Sequence, residues 1–283
     1  MEPYLLLIVS KILALERELT QIRGKRPIGF VPTMGALHEG HMSLIKQSLD
    51  NKCFTVCSIF VNPTQFNDKG DLERYPRTPE LDISLLESAG CDLLFMPDAE
   101  EVYPTGVKIP SFELGYLETV LEGAFRPGHF KGVAQVVNRL FELVRPDQAF
   151  FGRKDFQQLM IIRELVRLTG NQVKIISGET LREADGLAMS SRNRLLTKEQ
   201  RLKVGIIYKT LIAAGKIAKE TSIEKASAFV AKEINALEGF QLEYFEIREA
   251  ETLLIPSKVS SGNIALIALF VGKIRLIDNI TID

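Results

Sequence analysis

From its start to about residue 180 the chain alternates short β-branched runs with amphipathic helical stretches, and few architectures satisfy that pattern. Short apolar runs separated by helix-length segments pair as parallel strands, with the helices crossing over the sheet. Candidate strands are Leu5 to Val9, Ile28 to Val31, Phe54 to Val61, Asp92 to Met96, Gln148 to Phe151 and Gln172 to Ser177. Ser10 is placed to cap the first helix, and Thr78-Pro79-Glu80 offers an N-cap, a proline at the first helical position and an early acid for a helix ending at Gly90. The strand at 28–31, a helix over 41–50 and the strand at 54–61 make a βαβ unit with a right-handed crossover. Beyond Arg182 the character changes. Helical patterns at about 197–219 and 222–237 precede Leu242 to Arg248 and a hairpin around Gly272-Lys273, so an antiparallel α+β domain is expected there.

Composition narrows the function classes. A 283-residue chain with 46% hydrophobic and 25% charged residues and a formal net charge of -1 is an ordinary globule, with no global attraction to nucleic acid or membrane. Any basic site has to be local. Cys53 and Cys57, on one strand, would stand roughly 13 Å apart, beyond disulfide reach. With an odd count of three cysteines, a reducing, cytoplasmic compartment is expected. Leu5 to Val9 is too short for a signal-peptide core, and no transmembrane span is expected.

Ligands of parallel sheets bind at the carboxyl ends of the strands, and several constellations fall there. Gly29-Phe-Val-Pro-Thr-Met-Gly-Ala-Leu-His38-Glu-Gly-His41 runs from an apolar strand through a small-residue turn into two histidines. Such a turn directs backbone N–H groups at an anion, and His38 and His41 on one face of the first helical turn would both donate to a phosphate chain. The pair is not the zinc-binding His-Glu-x-x-His, whose histidines are four apart. Capping or a solvated position is the plain alternative for either ring. Asn62-Pro-Thr-Gln65 follows the third strand; it is a strand-ending turn or a place where the Gln65 amide meets a hydroxyl-bearing substrate. Arg126, His129 and Lys131 gather in a loop ahead of a helix expected from Val133, as a cationic anchor or a solvated loop. In Phe150-Phe-Gly-Arg-Lys-Asp-Phe-Gln-Gln-Leu159, Lys154 would reach phosphates, Asp155 would cap a helix and Gln158 would face the same space one turn on; a capped surface helix is the alternative. Met189-Ser-Ser-Arg192-Asn193 is either a polar linker or a loop that closes over a nucleotide. Gly35 to Gly40 has phosphate-loop spacing but continues as His-Met, and neither Gly-x-Gly-x-x-Gly nor Gly-x-Ser-x-Gly is present.

Taken together, these segments resemble the pantothenate synthetase (pantoate–β-alanine ligase) family of the nucleotidyltransferase superfamily, which shares a His-x-Gly-His-type signature with class I aminoacyl-tRNA synthetases. The matching stretches are Pro32 to Ile45, Asn62 to Phe66, Tyr75 to Thr78, Phe125 to Gly132, Phe150 to Leu159 and Arg182 to Arg194, in the family's order. The resemblance implies a Rossmann-like catalytic domain over 1–181 and a smaller C-terminal α+β lid domain over 182–283. It also implies an ATP-dependent condensation of pantoate with β-alanine through a pantoyl adenylate, in a homodimer. His38, His41, Lys154, Ser190, Ser191 and Arg192 would be catalytic. Met34, Gly152, Asp155, Leu181 and Met189 would join them around ATP. Pro32, Met34, Gln65, Arg126 and Gln158 would bind pantoate and β-alanine. Magnesium would accompany ATP, with Asp82 as its protein carboxylate. Two departures from the family pattern stand out: Leu81 replaces an acid beside the aspartate, and Arg153 replaces a glutamate, adding positive charge near the nucleotide. The rival readings are a transferase that stops at nucleotidyl transfer to a phosphorylated acceptor, a nucleotide-binding module without turnover, and an RNA-binding relative. The first would call for a second cationic cluster, the second for a broken cation set and the third for a basic tail.

Overall fold

The computed structural model describes residues 5–66, 69–107 and 109–283. The chain divides into two compact units, one of residues 1–153 and 157–179, the other of residues 154–156 and 180–283.

The first unit runs β1 (Leu7–Val9), α1 (Ile12–Ile22), β2 (Ile28–Thr33), α2 (Glu39–Asp50), β3 (Phe54–Ile59), α3 (Lys69–Arg74), α4 (Pro79–Ala89), β4 (Leu93–Phe95), α5 (Ala99–Val102), α6 (Glu122–Phe125), α7 (His129–Val144), β5 (Gln148–Gly152), α8 (Phe156–Thr169) and β6 (Lys174–Gly178). Among the described residues its strands form a six-stranded parallel sheet in the order β1-β4-β3-β2-β5-β6. The period of two in the strands sorts side chains to opposite faces. Phe30, Val56, Leu93, Phe95, Ala149 and Phe151 pack with Leu15 and Leu19 of α1, Val133 and Val137 of α7 and Ile162 of α8. Their neighbours Val31, Cys57, Leu94 and Phe150 pack on the other face with Leu44 and Ile45 of α2 and Leu86 of α4. Both faces are covered, which is why these strands read as continuous apolar runs. The order steps from β2 to β3 to β4 on one side and returns with β5 on the other flank of β2. That reversal makes the carboxyl end of β2 the switch point of the sheet, the place where ligands of such sheets bind.

The second unit holds α9 (Lys198–Lys203), α10 (Ile206–Glu220), α11 (Ile223–Asn235) and the antiparallel sheet β7 (Phe240–Glu249), β8 (Asn263–Val271), β9 (Ile274–Thr281). The helix expected over 197–219 is interrupted at Gly205, where a Cβ would lie 3.0 Å from the Asp185 carbonyl oxygen. Ala265, Ile267 and Leu269 of β8 pack with Ile207 and Leu211 of α10 and Val230 of α11. Ile264, Leu266 and Ala268, between them in the strand, are buried as well.

One expected cap is replaced, and the other, Thr78, is the N-cap residue of α4 but without a cap bond. At α1 the N-cap is Lys11, not Ser10, and the Ile12 amide donates to Glu101 Oε1 at 2.7 Å, from α5. Thr78 makes no cap bond; its hydroxyl donates to Asp82 instead. Cys53, Cys57 and Cys91 are free and buried; burial pushes the Cys57 thiol well up and that of Cys91 to about 12, so both stay protonated.

Candidate active site

The turn after β2 is organised around a buried carboxylate. Thr33 Oγ1 donates to the Ser58 carbonyl at 2.8 Å and accepts the Gly35 amide at 3.2 Å. Gly35 has φ +83°, and a Cβ there would stand 3.0 Å from Ile59 Cγ2 and 3.1 Å from Asp82 Oδ2, so glycine suits both the conformation and the space. Asp82, 1% exposed, accepts the Ala36 amide on Oδ2 at 2.9 Å and the Leu37 amide on Oδ1 at 2.8 Å, with the Thr78 hydroxyl also on Oδ1 at 3.0 Å. This corrects two expectations. Asp82 faces the turn's backbone and is not displayed to a metal. The amides of Gly35, Ala36 and Leu37 are bonded inside the protein and are not aimed at an anion.

The two histidines cap the helix that follows. His38 is the N-cap of α2, its Nδ1 accepting the Gly40 amide at 3.1 Å, and His41 Nδ1 accepts the His38 amide at 3.3 Å. An Nδ1 that accepts leaves the ring proton of a neutral imidazole on Nε2. Both rings thus carry their N–H on the atom farther from the backbone, with centroids 4.1 Å apart at the helix N-terminus. That is the arrangement needed for two donors to one phosphate chain.

The turn after β3 sits beside the start of α7. Gln65, 9% exposed, directs Nε2 to Met34 Sδ at 2.8 Å, and the Asn62 amide bonds Gln65 Oε1 at 3.4 Å and the Gly132 carbonyl at 3.2 Å. Tyr103 donates to Asn62 Oδ1 at 3.3 Å, and burial pushes its phenol up to about 12, so it remains a donor. A Cβ at Gly132 would lie 2.5 Å from the Thr64 carbonyl oxygen, so α7 approaches this turn as closely as glycine permits. The helix begins at His129, not Val133, behind Gly128 at φ +82°. His129 Nδ1 meets the Gln65 carbonyl at 2.7 Å, and Arg126 Nη1 meets His129 Nε2 at 3.1 Å. Met34, Gln65 and Arg126 are thus gathered in one network. Pro32, on β2, leads into it; Gln158 is half-buried on α8 beside Gln157, whose Nε2 bonds the Leu117 and Val120 carbonyls. Gly152 closes β5, and Arg153, next in the chain, pairs with Glu179 at 2.8 Å, which offsets the charge that the sequence adds there.

In the second unit Lys154 has its Nζ 3.4 Å from Asp155 Oδ1, and its carbonyl accepts Asn279 Nδ2 at 2.7 Å. Next to Asn279, the nearly buried Asp278 accepts Arg182 on both oxygens at 2.7 and 3.0 Å. Burial pushes the Asp278 carboxyl up from the usual range, against the opposing pull of Arg182. The Arg182 guanidinium also lies 3.9 Å from the centre of the Tyr208 ring. Arg182 pairs across the loop with Ala188, while Arg201 grips Glu183 and Asp185; this hydrogen bonding holds the Asp185 carboxyl below its usual range. On this base Ser190 Oγ accepts the Arg192 amide at 3.3 Å and caps a 3-10 turn over Ser191–Leu195. Ser191 is buried, Met189, Ser190 and Arg192 are half-buried, and Leu181 is exposed. Sequence reasoning missed Asp278 and Asn279, which sit in an ordinary strand, and missed Gly132 although the motif contains it.

A parallel sheet with its switch point beside β2, and paired imidazoles at the following helix start, match the frame of nucleotide-dependent transfer enzymes. A model of the pantoate-beta-alanine ligase family matches residues 7–281, and the chain belongs to that family. It is 48% identical to the pantothenate synthetase of Azobacteroides pseudotrichonymphae over 97% of this chain and 99% of that one, and 47% identical to that of Bacteroides thetaiotaomicron over 96% and 98%. Among solved structures, the pantothenate synthetase of Thermus thermophilus superposes with a TM-score of 0.91 at 42% identity, covering 98% of this chain and 99% of that one. The pantoate-beta-alanine ligase of Francisella tularensis, in a complex described as holding beta-gamma ATP and beta-alanine, gives 0.83 at 34% identity and 98% coverage of both. The activity of the chain is the ATP-dependent ligation of pantoate to β-alanine. No described helix is long and apolar enough to cross a membrane.

Proposed function

We propose that the ligation proceeds in two steps through a pantoyl adenylate. A pantoate carboxylate oxygen attacks the α-phosphorus of ATP, the bond to the bridging oxygen breaks and pyrophosphate leaves. The β-alanine amine then attacks the acyl carbon, AMP departs with its oxygen, and the amine loses a proton to give the amide. No covalent bond to the protein is needed, so the protein's contribution is position and charge. The observation that carries this reading is the imidazole pair. With Nδ1 of each ring tied to backbone, His38 and His41 offer Nε2–H donors that need no reorganisation as charge builds on the leaving group.

Lys154 supplies a mobile positive charge to the phosphates, and Ser190, Ser191 and Arg192 bind the β- and γ-phosphates from the second unit, whose residues 182–283 take the part of a lid. Gly152, Asp155, Leu181 and Met189 line the nucleotide. Gln65 and Gln158 hold the acid through its hydroxyls, Met34 and Pro32 pack against it, and Arg126 serves the same pocket. Magnesium enters as part of the substrate, bound to ATP phosphate oxygens and water. Among the described residues no His/Cys/Asp/Glu cluster suits a resident metal, and Asp82 is occupied by the turn. A homodimer in the cytoplasm completes the reading.

The test is ATP–pyrophosphate exchange with magnesium and pantoate but without β-alanine. Label is expected to enter ATP only when pantoate is present; exchange that ignores pantoate, or a lack of exchange with ATP bound, would refute the adenylate step.

A further inference from the structure

We propose that His129 is a positioning residue that fixes the acid-binding pocket from behind, as a neutral ring joining Gln65 to Arg126. The inference rests on the assignment of Gln65 and Arg126 to pantoate. A backbone carbonyl only accepts, so His129 Nδ1, 2.7 Å from the Gln65 carbonyl, is the donor. A guanidinium only donates, so His129 Nε2, 3.1 Å from Arg126 Nη1, is the acceptor. One neutral tautomer satisfies both contacts. A protonated ring would lose the second and set two cations side by side in a site where the histidine is 7% exposed. The sequence places His129 between Arg126 and Lys131 as one of three cations; the structure makes it the uncharged spacer between a cation and a backbone turn.

The geometry leaves little room for slack. Gly132, one turn along α7, lets the helix press on Thr64 and Gln65, and Asn62 ties the same turn to the Gly132 carbonyl. Arg126 is further braced by Glu122, with Nη1 3.8 Å from Oε2. A shift of His129 therefore moves Gln65 and Arg126 together, while the His38–His41 pair is held separately by its own backbone bonds. The role is thus expected to appear in pantoate capture and not in ATP binding.

The experiment compares wild type with His129→Ala, His129→Gln and His129→Asn in pantoate-dependent ATP–pyrophosphate exchange, alongside thermal melts. Glutamine presents an oxygen near the Nε2 position and keeps an acceptor for Arg126; asparagine presents an N–H near Nδ1 and keeps a donor for the Gln65 carbonyl. In His129→Ala the pantoate KM is expected to rise about tenfold or more with the ATP KM within about twofold, and each amide variant to recover part of that loss. A residue that merely stabilises the fold would lower the melting temperature and the active fraction while leaving both KM values in place, and that result overturns the proposal. If the alanine variant does not fold, the amide variants decide: a wild-type pantoate KM in both overturns it, and a selective rise in either supports it. Wild-type exchange that does not depend on pantoate would instead refute the adenylate step, on which the pantoate assignment rests, and this proposal with it.

Discussion

The turn after β2 and the loop over 180–195 are both assigned to the nucleotide, and they are built on different physics. The first is shaped by one buried carboxylate bonding backbone amides, with Gly35 at positive φ where a side chain would crowd Asp82. The second is shaped by ion pairs, Arg182 with Asp278 and Arg201 with Glu183 and Asp185. Hydrogen bonds to a sequestered carboxylate and the buried Arg182–Asp278 pair are little screened by salt, whereas the Arg201 pairs, about one-third exposed, are screened and pH-sensitive. The contrast fits a fixed donor set beside the sheet and a more easily perturbed cation-bearing loop.

The largest effects should strike chemistry on both sides of this comparison. His41→Ala and Lys154→Ala are each expected to slow adenylation by about 10²–10⁴-fold, since both groups would meet charge that develops in the transition state. Pyrophosphate exchange measures the loss, and circular dichroism should show an unchanged fold; wild-type exchange in either variant would remove that residue from the mechanism. Next comes Arg182→Ala, which strands Asp278 in a buried site and should cost about 3–5 kcal/mol in a denaturant melt. The sign of its pH dependence follows from Asp278, whose carboxyl is raised when folded. Without Arg182 the folded state takes up a proton more readily than the unfolded chain, so the deficit should shrink as the pH falls. A deficit that is independent of pH would mean that Asp278 is not the group left exposed to the low dielectric.

Much of the first region was legible in the sequence because its signals are local. Strand, small-residue turn and helix start follow one another within Ile28 to Asp50, and the motif order identifies the family. The partners that decide how the motif works are distant. Asp82 reaches the Ala36 amide across 46 residues, and Glu101 caps α1 across 89. The family resemblance points Asp82 at a metal, and a carboxylate near phosphates suits one, but a sequence does not reveal that two backbone amides already fill the group. The second region was less legible. Asp278 and Asn279 carry no pattern of their own, and Gly205 interrupts a helical periodicity that reads as continuous.

Two smaller effects sharpen the comparison. Asp82→Asn preserves shape but sets an NH2 group against a turn that needs acceptors, and should cost about 1–3 kcal/mol of stability with a lower kcat. The magnesium concentration for half-maximal rate should not move, because the turn and not the metal is disturbed; a raised magnesium requirement would restore Asp82 as a metal ligand. Arg201→Ala should matter least, by less than about 1 kcal/mol, since its partners are about one-third exposed and screened by solvent. Asp185 is lowered when folded by its bond to Arg201, so the contribution is present above the usual aspartate range and is lost as the pH falls through the lowered folded value. Melting temperatures of wild type and Arg201→Ala should therefore converge in acid and in high salt. High salt should leave the Asp82→Asn deficit largely intact, because its hydrogen bonds are shielded from ions; convergence there would mean that the β2 turn is held by the same solvent-exposed electrostatics as the loop.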